Sequence, residues 1–114
     1  MTIREVVKIV EGQVMCGENN LDLEMKSACG SDMMSDVLAY VKDQSLLLTG
    51  LVNPQVVRTC EMMDMKCIVF VRGKQPDSAI LDLAKSKGIV VVCSKLRQYE
   101  ACGRLYSNGL GVNA

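Results

Sequence analysis

The chain has 114 residues, 49% of them hydrophobic, with thirteen basic and thirteen acidic side chains and no histidine. That length fits a single domain, residues 1–114. The cancelled charge argues against a nucleic-acid surface, and no run approaches the roughly 18 apolar residues a membrane-spanning helix needs.

The elements follow in chain order. Ile3, Val6, Val7 and Val10 fall at helical spacing, between Thr2 as an opening residue and Gly12 as a stop. Gln13 to Cys16 reads as a short strand ended by the turn Gly17-Glu18-Asn19-Asn20. Leu21, Leu23 and Met25 alternate with Asp22, Glu24 and Lys26, which predicts a half-buried strand there. Met33 to Lys42 is a predicted helix with Met34, Val37, Leu38 and Val41 inward. Helices are likewise predicted over Gln55–Asp64, Asp77–Lys87 and Leu96–Ser107. Between them lie three short apolar strands, Ser45–Leu48, Cys67–Val71 and Ile89–Cys93. The tail, residues 109–114, is expected to fray.

Short apolar strands separated by helices of about ten residues imply βα units. The expected fold class is α/β: a small open, mainly parallel sheet buried by helices on both faces. With one Phe, three Tyr and no Trp, its core is aliphatic and Met-rich.

The charges at Arg4, Glu5 and Lys8 interrupt what a signal peptide would need as its apolar run, so a cytoplasmic location is expected. In a reducing compartment Cys16, Cys29, Cys60, Cys67, Cys93 and Cys102 are expected to be free thiols. They form no C-x-x-C pair, and no metal or cofactor is expected.

Ligands of open parallel sheets bind outside the carboxyl ends of the strands. Those ends are four turns: Cys29-Gly30-Ser31-Asp32, Thr49-Gly50-Leu51, Arg72-Gly73-Lys74 and Cys93-Ser94-Lys95. Glycines there let a ligand approach backbone, and Arg72, Lys74 and Lys95 supply positive charge for a phosphate or carboxylate. The candidate site residues are Gly30, Ser31, Asp32, Thr49, Gly50, Arg72, Gly73 and Lys74. The same residue types also serve ordinary strand-to-helix turns and helix caps, as in Asn53-Pro54. Asp32 and Asp36 fall four apart, at the spacing of a shared helix face. Exposed acids in a first helical turn are commonplace. Tyr99 and Tyr106 flank a stripe with Cys102 that suits core or dimer-interface packing.

No catalytic residue is assigned. The sequence has no G-x-x-x-x-G-K-[ST], no G-x-G-x-x-G after a strand and no G-x-S-x-G. Without histidine, a Ser-His or Cys-His nucleophile pair cannot form.

The segment LLLTGLVNPQVVRTCEMMDMKCIVFVRGKQPDSAILDLAKSKGIVVVCSKLRQYEACGRLY resembles the DRTGG domain, and the likeness extends through GSDMMSDVLA to the opening helix. That family is similar to the N-terminal domain of HPr kinase/phosphorylase, and occurs alone or beside CBS modules in regulatory regions of some pyrophosphatases. The resemblance implies a regulatory or assembly role, commonly as a dimer. The family's Thr-Gly-Gly turn falls here on Arg72-Gly73-Lys74, which keeps only Gly73. A kinase activity does not carry over, because the chain lacks the P-loop.

The leading reading is a non-catalytic regulatory domain that forms a homodimer and senses a small anionic or nucleotide-like ligand, with neither nucleic acid nor membrane as partner. An alternative is a protein–protein adaptor with no small-molecule ligand, favoured by an exposed patch at Met62, Met63 and Met65. A third reading is a redox or metal-linked accessory protein.

Overall fold

Thr2 opens the chain with a reciprocal cap: its hydroxyl accepts from Glu5 N–H at 3.2 Å, and the Glu5 carboxylate accepts from Thr2 N–H at 3.1 Å. In the computed structural model, which describes residues 1–112, the resulting helix α1 spans Ile3–Ile9. It is followed by β1 (Gln13–Cys16), β2 (Ser27–Gly30), α2 (Met34–Tyr40), β3 (Ser45–Thr49), α3 (Pro54–Met62), β4 (Cys67–Phe70), α4 (Ser78–Ser86), β5 (Val90–Cys93) and α5 (Gln98–Ser107).

The strands form one sheet in the order β1-β5-β4-β3-β2, with β1 antiparallel to β5 and the other pairs parallel. Every residue of β3, β4 and β5 is buried. Their side chains alternate between two cores, as strand geometry requires. Leu46, Leu48, Cys67, Val69, Val90 and Val92 join Val6 of α1 and Leu105 of α5. Leu47, Ile68, Phe70, Val91 and Cys93 join Val37, Val57, Cys60 and Ile80 from α2, α3 and α4. Burial of this kind is worth about 1.5–3 kcal/mol for each large aliphatic or aromatic side chain. The α/β sheet with helices on both faces is therefore the architecture found.

Four local expectations need correction. Leu21–Lys26 is not a strand; it has a single bridge, Thr2 to Glu24. Its carbonyls serve helix α1 instead, accepting at Leu23 from Ile3 N–H and at Leu21 from Arg4 N–H. The strand comes next, at Ser27–Gly30. Leu38, expected inward, is 41% exposed, because the short α2 turns only Val37 fully into the core. Of the core or dimer-interface packing expected for Tyr99 and Tyr106, the core alternative is not found, because both side chains project into solvent. The tail is docked as far as Leu110, which is 5% exposed against the α1/α5 core, while the last two residues of the expected fray lie outside the described ones. No helix among the described residues is long and apolar enough to cross a membrane.

Candidate functional site

The parallel strands all end on one side of the sheet, where three of the four expected turns meet on one carboxylate. Asp32 follows β2, and its Oδ1 accepts from the Thr49 hydroxyl at 3.0 Å and from Gly50 N–H at 2.8 Å, both at the end of β3. Its Oδ2 pairs with Arg72 Nη2 at 3.2 Å, after β4. A fourth group arrives from the start of α5. With its amide oriented to satisfy its neighbours, Gln98 donates to Asp32 Oδ1 at 3.2 Å and accepts from Ser31 N–H at 3.1 Å.

The electrostatics follow from this count of donors. The Gly50 N–H chiefly, helped by the Thr49 hydroxyl and the Arg72 guanidinium, holds the Asp32 carboxyl below its ordinary range against the opposing effect of burial. Both members of the ion pair remain close to half exposed. Their attraction is accordingly modest, about 0–1 kcal/mol. Gly50 has a steric reason to be glycine: the Arg72 guanidinium lies where a Cβ would sit. Arg72 and Gly73 both take left-handed backbone, with φ of 62° and 68°. Gly73 has open space around it and is suited by that conformation alone.

The β4 and β5 turns diverge toward opposite faces of the sheet, β4 leading to α4 and β5 to α5. Such a divergence opens a crevice in open α/β sheets. Here backbone bonds span it, from Arg72 N–H to Leu96 O at 2.8 Å and from Gly73 N–H to Ser94 O at 2.9 Å.

Of the expected site residues, Asp32, Thr49, Gly50 and Arg72 are in direct contact, and Ser31 joins them through Gln98. Gly30 instead packs under α5, where a Cβ would come within 2.7 Å of Cys102 Sγ. Gly73 shapes the turn, and Lys74 is exposed beside it. Asp36 does not share a site with Asp32: it lies on exposed α2, while Asp32 precedes the helix and turns to Thr49. Gln98 was absent from the expected set; its only sequence signal is a polar residue at the first position of the helix after the last strand.

All six cysteines are free thiols. Burial pushes Cys60 up to about 12 and raises Cys67 further still. Cys29 and Cys102 are also raised, chiefly by burial, so these thiols stay protonated at neutral pH. Among the described residues no group of three or more Cys, Asp or Glu side chains is placed to hold a metal.

Comparison with known proteins agrees with this architecture. No curated protein matches the sequence. A solved structure of the CBS and DRTGG domains from the regulatory region of Clostridium perfringens pyrophosphatase, in complex with the activator diadenosine tetraphosphate, superposes with a TM-score of 0.75 at 12% identity. The match covers 91% of this chain and 45% of that one, so this chain spans less than half of the longer regulatory region. The sequence model of the DRTGG domain matches residues 5–107. The chain belongs to the DRTGG domain family.

Proposed function

We propose that this chain is a non-catalytic, cytoplasmic regulatory domain that dimerises and senses a small anionic, nucleotide-like ligand at the C-terminal ends of its parallel strands. The observation that carries the reading is the convergence of Thr49, Gly50 and Arg72 donors on one anion, the carboxylate of Asp32. Donors arranged to hold a carboxylate also suit a phosphate, and a guanidinium favours phosphate oxygens in particular. A ligand phosphate takes these donors by displacing Asp32, whose half-exposed ion pair is weak enough to yield. Because the donors sit on separate strand-end turns, that exchange changes how the turns are tied together. The complex of the pyrophosphatase regulatory region with a nucleotide activator supports a regulatory role of this kind.

The adaptor alternative drew on a methionine patch, and that patch is incomplete: Met62 is exposed, but Met65 is 1% exposed and belongs to the core.

The test is a thermal-shift titration with ATP, diadenosine tetraphosphate and inorganic phosphate, since a ligand of the folded state raises the melting temperature. A dose-dependent rise in the wild type that is lost in the Arg72→Ala/Lys74→Ala double variant supports the reading. An equal rise in both proteins removes the site, and no rise with any of the three probes favours the adaptor.

A further inference from the structure

The turns after β4 and β5 are tied into one platform. Arg72 N–H donates to Leu96 O at 2.8 Å and Gly73 N–H to Ser94 O at 2.9 Å. The second turn is pinned again from below: the Ser94 hydroxyl donates to Val10 O at 2.7 Å and accepts from Leu96 N–H at 3.1 Å. Ser94 is buried, and Leu96 packs against the α1/α5 core. Lys95 and Arg97 alternate with these two inward residues and are exposed, as are Arg72 and Lys74. The next residue, Gln98, touches Asp32. The segment after β5 therefore runs past the Arg72 turn to the Asp32 carboxylate, carrying Lys95 and Arg97 with it.

The turn residues Arg72-Gly73-Lys74 and Ser94-Lys95-Leu96-Arg97 hold four cations and no acid, in a chain whose charges cancel. Arg72 is paired with Asp32. The side chains of Lys74, Lys95 and Arg97 have no hydrogen-bond or ion-pair partner among the described residues. The nearest acids after each turn are engaged elsewhere. Asp77 caps α4 by accepting from Ile80 N–H at 2.9 Å, and Glu100 pairs with Arg104 at 2.9 Å.

Four cations exceed what one phosphate needs. A phosphate monoester carries about −1.5 to −2 charge, and the Thr49, Gly50 and Arg72 donors already serve it. Every phosphate added in a chain brings further negative charge and further acceptor oxygens, which suit Lys74, Lys95 and Arg97.

We propose that the site takes a chain of three or more phosphates in preference to a single phosphate, with Lys95 and Arg97 selecting for chain length. This rests on the anion-sensing reading above and names its ligand class. The first phosphate replaces the Asp32 carboxylate, and the following ones lie over the joined β4 and β5 turns.

The experiment is isothermal titration of the purified chain with orthophosphate, pyrophosphate and tripolyphosphate at neutral pH and low salt, where exposed charges are least screened. Affinity is expected to rise with each phosphate, by about tenfold or more from orthophosphate to tripolyphosphate. In Lys95→Gln/Arg97→Gln, which removes both charges but keeps polar side chains, that ratio is expected to fall to about threefold or less. Both positions are exposed, so the variant should keep the circular dichroism spectrum of the wild type. Should it unfold, the single Lys95→Gln variant decides by the same ratio. Orthophosphate that binds as tightly as tripolyphosphate overturns the inference alone. So does a preference for the longer chain that the variant retains in full. No binding of any of the three probes overturns both the inference and the reading it rests on.

Discussion

The middle of the sheet and its strand ends are held together by different physics. In β3, β4 and β5 every position is buried and side chains pack into a core on either face, so the interactions are many and individually replaceable. At the strand ends the three turns after β2, β3 and β4 meet through a few hydrogen bonds on the Asp32 carboxylate. One region is built to stay as it is. The other is held by few and weak enough contacts to allow the anion exchange proposed above.

Substitutions in the two regions should therefore separate stability from binding. The largest loss of stability is expected from Phe70→Ala, which empties a fully buried position in β4. It should cost about 3–5 kcal/mol in urea unfolding; a cost below about 1 kcal/mol would mean the core is far looser than its burial indicates. Gly50→Ala comes next. Its Cβ takes the place of the Arg72 guanidinium, which can swing away on its flexible stem. The expected cost is about 1 kcal/mol, the size of a lost hydrogen bond or two, together with loss of the thermal shift given by ATP. An unchanged shift would separate Arg72 from the binding site.

Asp32→Asn should have a smaller effect on stability, about 0–1 kcal/mol, because the ion pair it removes is half exposed. Its effect on binding has the opposite sign. Removing the resident negative charge should tighten phosphate binding by about tenfold, equivalent to roughly 1.4 kcal/mol. The smallest effect is a pH dependence. The folded protein holds the Asp32 carboxyl below its ordinary value of 3.8. Its contribution to stability is therefore fully present above the unfolded value and is lost as pH falls through the lower folded one. Acid unfolding curves of wild type and Asp32→Asn should converge below pH 3.8 and separate above it; a gap that is constant across that range would contradict the assignment.

The same two regions differ in how much of them could be read from the sequence. The uninterrupted runs at Ser45–Leu48, Cys67–Val71 and Ile89–Cys93 reveal the central strands, because a strand buried on both faces has no polar position to hide it. Strand β2 escaped this logic. Ser27-Ala28-Cys29-Gly30 is short and has no β-branched residue, while the neighbouring Leu21–Lys26 alternates like a strand and spends its carbonyls on α1. The strand-end turns were legible as places, since an open parallel sheet puts binding groups there. That Asp32 would occupy the donors of Thr49, Gly50 and Arg72 was not, because such contacts depend on strand order and on the direction each turn takes. Gln98 was hidden for the same reason: only the path of α5 back across β2 and β3 brings it to Ser31 and Asp32.

The most direct test of the anion exchange is isothermal titration of ATP into wild type, Asp32→Asn and Arg72→Ala at neutral pH. Affinity should be greatest for Asp32→Asn, intermediate for the wild type and lost in Arg72→Ala. Equal affinity in all three proteins, or no binding in any, would contradict the account.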